Sequence, residues 1–261
     1  MKTVAIIQAR MGSTRLPGKV LAEVAGKPLL VHMLERLERC ELLDEIGVAI
    51  ASGVENRPIA EAVSDLMLER DYNECRLGWS WGDEDDVLSR VLHAAHLTQA
   101  DLIVELTADC PLIDPKIVDL AIKRYRMISR TSGLDFLSTS RDSFPHPENA
   151  YPRGMDVRVF PVGVLEEVDR LTKDPVDREH VSLYIWEHPQ HYRIWNLAAP
   201  DKLRDDVRLT VDTPDDLELV RAIFEHFAPS NDFHLPDIIR YLDENPELRE
   251  LNRSVQQKKV R

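Results

Sequence analysis

Cysteine is scarce in this chain. Three stand in 261 residues, and Cys40, Cys75 and Cys110 lie too far apart to form a CxxC pair. That argues against a structural zinc site and fits a reducing cytoplasm. No apolar run reaches the 18 or so residues that a membrane-spanning helix needs. The first apolar stretch, Val4-Ala5-Ile6-Ile7, gives way to Gln8 and is too short for a signal peptide. Basic charge is also in deficit: 33 Lys and Arg face 46 Asp and Glu, for a net charge of −13. Such a surface repels nucleic-acid backbones and argues against a DNA- or RNA-binding role. There is no internal repeat and no low-complexity tract. The sequon Asn252-Arg253-Ser254 carries no meaning in a cytosolic chain.

Against that acidic background, one basic loop stands out. Ala5-Ile6-Ile7-Gln8-Ala9 reads as a buried strand and runs straight into Arg10-Met11-Gly12-Ser13-Thr14-Arg15-Leu16-Pro17-Gly18-Lys19. Gly12 and Gly18 permit tight turns, and Gly12 and Ser13 can aim N–H and hydroxyl donors at one anion. With Arg10, Arg15 and Lys19 they make a set suited to a triphosphate; a solvated basic surface loop is the plainer alternative. A Walker A site is excluded, because Val20 stands where a magnesium-binding Ser or Thr belongs. No GxGxxG follows the strand, which disfavours a dinucleotide fold.

Strands and helices alternate through the first half. Val4–Ile7, Ile46–Ala51 and Leu102–Leu106 read as strands, and Leu29–Leu37, Ile59–Leu68 and Val87–Leu97 as helices. This predicts a mainly parallel, three-layer α/β sheet, with ligands outside the carboxyl ends of its strands. Beyond, Arg141–Arg153 reads as a loop or arm, Met155–Pro161 and Arg208–Val211 as strands, and Pro175–His188 as one helix capped by Asp174. Asp215–Phe227 reads as a helix capped by Thr213, with Leu217, Val220, Ile223, Phe224 and Phe227 as its buried stripe. Ala228–Asp232 reads as a linker, and the rest as a helical appendage with a frayed Lys258-Lys259-Val260-Arg261 end.

Five motifs, in order, carry a resemblance: Ala9–Lys19; Asp109-Cys110-Pro111-Leu112-Ile113-Asp114-Pro115; Tyr151-Pro152-Arg153-Gly154-Met155-Asp156-Val157; Arg178-Glu179-His180-Val181; and Val211-Asp212-Thr213-Pro214-Asp215-Asp216-Leu217. Together they resemble the cytidylyltransferases that activate sugar acids, the acylneuraminate and 3-deoxy-manno-octulosonate enzymes, and most closely the spore-coat polysaccharide protein F type. The resemblance implies a nucleotide-diphospho-sugar transferase-like α/β/α domain over residues 1–228, with an arm or loop at about 138–160 and an appendage at 229–261. It also implies a cytoplasmic homodimer that uses magnesium and CTP and transfers CMP to a sugar acid with release of pyrophosphate.

It further implies roles for particular residues. Asp109 and Asp212 hold the metal; read alone, the first is a turn former and the second a helix cap. Lys19 and Arg10 are catalytic at the phosphates, with Arg15 beside them. Ala9, Gly12 and Ser13 line the nucleotide, Asp109 borders it, and Gly82 and Ser89 approach the base. The acids between them, Asp83-Glu84-Asp85-Asp86, equally suit a helix N-terminus. Arg153, Asp156, Arg178, Glu179 and His180 face the acceptor, although His180 inside a helix is as readily structural. Two other classes compete. One is glycosyl transfer with Asp83-Glu84-Asp85 as a DxD-type site; within the leading chemistry, a sugar phosphate or other phosphorylated molecule is the alternative acceptor. The other is an inert binding module, against which Arg10, Lys19, Asp109 and Asp212 all speak.

Overall fold

Side chains of the first strand alternate between two apolar environments. Ala5, Ile7 and Ala9 enter one core, and Val4 and Ile6 the other. A strand apolar on both faces belongs in the middle of a sheet that is covered on both sides. The computed structural model, which describes residues 1–70, 76–258 and 260, places it there. Cys75, Lys259 and Arg261 lie outside the described residues.

The first half contains β1 (Thr3–Ala9), β2 (Glu23–Val24), β3 (Lys27–Pro28), α1 (Leu29–Leu37), β4 (Glu45–Ala51), α2 (Arg57–Leu68), β5 (Leu77–Gly82), α3 (Val87–Leu97), β6 (Leu102–Thr107) and α4 (Pro115–Ser132). There follow β7 (Phe136–Ser138), β8 (Arg158–Pro161), α5 (Val162–Leu171), α6 (Pro175–Glu179), α7 (Leu183–Glu187), β9 (Ile194–Asn196), α8 (Pro214–Phe227), α9 (Leu235–Glu244) and α10 (Pro246–Glu250). The main sheet runs β5-β4-β1-β6-β8-β7-β9. All pairings are parallel except those that β8 makes with β6 and β7. Helices α1, α2, α4, α8 and α9 cover one face, and α3, α5 and α7 the other. This is the expected three-layer α/β arrangement.

The chain steps outward from β1 to β4 to β5, then returns to place β6 on the other side of β1. The strand order reverses there, and the loops leaving the carboxyl ends of β1 and β6 face each other across a crevice. Their residues are Arg10–Lys19 and Ala108–Asp114.

Helices with a single apolar stripe and a clear start fall where the sequence puts them. In α1, Leu30, Met33, Leu34 and Leu37 are fully buried. In α8, Thr213 and Asp216 form a reciprocal capping box. Its buried stripe is Leu219, Val220, Ile223 and Phe224, whereas Leu217 and Phe227 are only partly covered.

Three expectations change. The single helix over Pro175–His188 is two short ones, because Val181 adopts a left-handed backbone with φ of 52° that no α-helix can pass through. Arg208–Val211 is no strand of the sheet; only Arg208 forms a bridge, to Arg153. The strand expected from Met155 begins at Arg158, since the preceding residues turn tightly at Gly154. Strands β2, β3, β5, β7 and β9 and helices α4 and α5 have no counterpart in the sequence reading. The segment after α8 places Phe233, Leu235, Ile238 and Leu242 in the larger core.

Candidate active site

Lys19 begins a single turn of 3-10 helix just beyond Gly18, whose φ of 73° suits glycine. The basic loop closes on one carbonyl: the amides of Ser13 and Gly18 both donate to the Met11 oxygen at 3.0 Å. The Met11 amide in turn donates to Oδ1 of the fully buried Asn56 at 2.7 Å, which ties the loop to the start of α2. Sequence reasoning missed Asn56, since nothing in its local pattern distinguishes it from an ordinary helix-start residue.

The loop thus delivers Lys19 to the floor of the crevice. Its Nζ donates to Asp109 Oδ2 at 2.9 Å and to Asp212 Oδ1 at 2.7 Å. Burial works against the ammonium, yet the two carboxylates outweigh it and hold the lysine above its ordinary pKa. Burial likewise opposes the Asp109 carboxylate, but Lys19, Thr107 and Cys110 keep it below the usual range. Asp212 gathers two more cations: Arg15 at 3.0 Å and the guanidinium of Arg208. Arg208 also donates from Nε to Asp216 Oδ1 at 2.9 Å. The other Asp216 oxygen receives the amides of Asp212 and Thr213 at 3.0 Å. Arg208 and Asp216 therefore fix the rotamer of Asp212 from behind. Arg208 was missed, although its four-residue spacing before Asp212 and eight before Asp216 was a usable signal.

The motifs around Asp109 and Asp156 are laminated together. The Asp109 carbonyl accepts from the Val211 amide at 2.8 Å and the Thr210 hydroxyl at 3.0 Å. Gly154 lies against the same segment; a Cβ there would come within 2.6 Å of the Leu209 carbonyl carbon. Asp156 Oδ2 accepts from the Gly154 amide at 2.8 Å, and Arg153 pairs with Asp142 at 3.0 Å.

The remaining site residues form another rim. Gly12 brings the basic loop up to Glu84, whose Oε1 would lie 3.1 Å from a Cβ at that position. Arg10 reaches Glu179 at 3.5 Å. Arg178 is bound to Asp86 at 2.6 Å and Asp169 at 2.8 Å, so it joins the start of α3 to α5 and α6. The acidic run acts locally: Asp83 accepts from the amides of Asp85 and Asp86, and Asp86 caps α3 through the Ser89 amide. The Ser89 hydroxyl donates to the Asp86 carbonyl at 3.0 Å. Gly82 is required, since a Cβ would meet Arg90 Cγ at 2.5 Å. Ala9 is buried at the end of β1, and His180 caps the end of α6 with its pKa lowered by burial. The structure brings Lys19, Arg15, Asp109 and Asp212 into direct contact. Arg10 and Glu179 form a separate pair, as do Arg153 and Asp142.

Among the described residues no three carboxylates, histidines or cysteines gather as a metal cage. Two carboxylates converging on one cation are nonetheless the donor set that magnesium takes when phosphate oxygens and water complete its shell.

Comparison with known proteins identifies the family. Residues 4–251 match the cytidylyltransferase family, and the chain belongs to that family. It is 34% identical over its whole length to an uncharacterised protein of Methanocaldococcus jannaschii, covering 98% of it. It is 28% identical to the spore coat polysaccharide biosynthesis protein SpsF of Bacillus subtilis, over 93% of this chain and 94% of that one. A 3-deoxy-manno-octulosonate cytidylyltransferase of Anaeromyxobacter is 28% identical over 84% of this chain and 96% of its own. A solved cytidylyltransferase from Leptospira borgpetersenii superposes with a TM-score of 0.84 at 30% identity, covering 99% of both chains. The protein is thus an enzyme of the cytidylyltransferase class, as its motifs implied. Among the described residues no helix is long and apolar enough to cross a membrane.

Proposed function

We propose that the enzyme transfers CMP from CTP to a sugar acid, with release of pyrophosphate, in surface polysaccharide biosynthesis. The observation that carries this reading is Lys19 held between Asp109 and Asp212 at the point where the strand order reverses. Both substrates are anionic, so the protein must neutralise charge and hold geometry rather than supply a covalent intermediate. Lys19, Arg10 and Arg15 take the triphosphate: the arginines bind oxygens in pairs, and the lysine is a compact charge that follows the leaving pyrophosphate. Ala9, Gly12, Ser13, Gly82 and Ser89 border the nucleoside. Asp109 and Asp212 would hold magnesium, which supplies charge neutralisation at the phosphates. Asp156, Glu179 and His180 face the acceptor with Arg153, while Arg178, held by Asp86 and Asp169, braces that wall. Two buried free thiols, Cys40 and Cys110, suit a reducing cytoplasm, and the enzyme works there as a homodimer without nucleic-acid partners.

The test is pyrophosphate release with magnesium, the four NTPs being screened against sugar acids and sugar 1-phosphates. CTP- and acceptor-dependent release is expected, and Lys19→Ala or Asp212→Asn should lower it by about a thousandfold. Failure of every NTP to bind would overturn the reading.

A further inference from the structure

Arg208 has a second environment. Besides gripping Asp212 and Asp216, it lines a cavity of about 410 Å³ whose wall also carries Arg141, Arg153, Arg249 and Arg253. The segment after α10 closes this recess. Asn252 Nδ2 donates to the Arg208 carbonyl and to Asp216 Oδ1, both at 2.9 Å. Gln257 Oε1 accepts from Arg208 at 2.5 Å, and the Gln256 carbonyl accepts from Arg15 at 3.4 Å.

The five guanidinium groups are not equivalent. Arg208 and Arg249 are scaffold, the latter held by Asp205 and Asp243. Arg141 donates to the Asp205 carbonyl at 2.9 Å, and among the described residues it has no carboxylate partner. Arg153 leans on Asp142, a carboxylate that is itself one-third exposed, and Arg253 on the exposed Glu250. Glu250 and Asp206 are the acids in the wall. In a chain of net charge −13, this recess is a local reversal of sign. Guanidinium forks match the geometry of carboxylate and phosphate oxygens. The volume suits a ligand of monosaccharide size rather than a polymer.

We infer that the recess is the acceptor's anion subsite. A compact oxyanion of the acceptor, carboxylate or phosphate ester, binds Arg141, Arg153 and Arg253 under the 252–257 segment, with the rest of the molecule directed past Arg208 toward Asp212. This rests on the cytidylyltransferase reading of the neighbouring site. It also replaces Arg178, which Asp86 and Asp169 already occupy, as the partner of Arg153.

The test uses no nucleotide. Lys19→Ala protein, which lacks the basic loop's central cation, is titrated calorimetrically at constant ionic strength with inorganic phosphate and, separately, with gluconate. At least one anion should bind, and adding Arg141→Ala or Arg253→Ala should weaken it about tenfold, with Arg141→Lys restoring part. Phosphate alone would mark a phosphorylated acceptor, and gluconate alone a sugar acid. Arg253 is exposed, so its loss leaves the fold intact and keeps the test valid should Arg141→Ala unfold. Failure of both anions to bind, or affinities unchanged in the arginine variants, overturns the subsite. Failure of the cytidylyltransferase reading would show separately, as no NTP binding by the unaltered enzyme.

Discussion

Asp212 receives three cations, and each is bound differently. Lys19 is reached by a loop, Arg15 from the half-exposed part of that loop, and Arg208 from the buried segment immediately before it. Arg208 orients the Asp212 carboxylate from behind, so, on the proposed metal role of Asp212, Arg208→Ala should raise the magnesium concentration for half-maximal activity about tenfold while CTP affinity changes less. Magnesium titrations at fixed CTP check this. Gly154 is a second single-residue dependency. Its φ of 101° and its contact with Leu209 leave no room for a side chain. Gly154→Ala should cost roughly 2–4 kcal/mol of unfolding free energy, read from a urea melt.

At the level of elements, Arg36 on α1 acts as a fastener. It is fully buried and donates to the carbonyls of Ile113, Asn231 and Phe233 at 2.8–3.0 Å, while its guanidinium lies 4.4 Å from the Phe233 ring centroid. Burial pulls its pKa down to about 10, which still leaves it charged at neutral pH. It joins α1 to the loop before α4 and to the segment leading into α9. Arg36→Ala strands several buried carbonyls and should destabilise the protein by about 3 kcal/mol; chemical denaturation measures it. Elements with a strong local signal were legible. Helices α1 and α3 have the predicted bounds because each carries one apolar stripe. Strands β7 and β9, three residues each, exist only because β8 and β7 lie beside them. β5, Leu-Gly-Trp-Ser-Trp-Gly, is an edge strand with one buried side chain and no clean alternation. α4 hides its stripe, Ile117, Val118, Ala121, Ile122 and Tyr125, among basic residues. The same division holds at the site. Lys19 is legible from the basic loop itself, and Asp109 and Asp212, read alone a turn former and a helix cap, from the motifs that carry the resemblance, whereas Asn56, Arg208 and Asn252 owe their roles to partners distant in sequence or on neighbouring segments.

For the molecule as a whole, stability depends on pH through a buried histidine, His32. His32 donates from Nε2 to the Val24 carbonyl at 2.7 Å and stacks on Phe224, and its buried Nδ1 has no partner among the described residues. Burial lowers its pKa below the ordinary 6.5. As pH falls through 6.5 the unfolded chain takes up this proton and the folded one resists, so stability declines on the acid side. Urea melts at about pH 7.5 and 5.5 should show the loss, His32 contributing about 1.4 kcal/mol for every tenfold by which folding weakens its hold on the proton. His32→Phe should reduce it.

The floor of the site joins Lys19 to carboxylates 90 and 193 residues further along the chain, and the brace Asp216–Asn252 spans another 36. During synthesis, then, Lys19 can meet Asp109 while Asp212 has yet to be made, and the backing of Asp212 waits for Asn252 to emerge. The growing chain passes through its sheet-forming stages with the basic loop present but its carboxylate partners incomplete, so the cluster around Lys19 closes late in synthesis rather than building up with the fold.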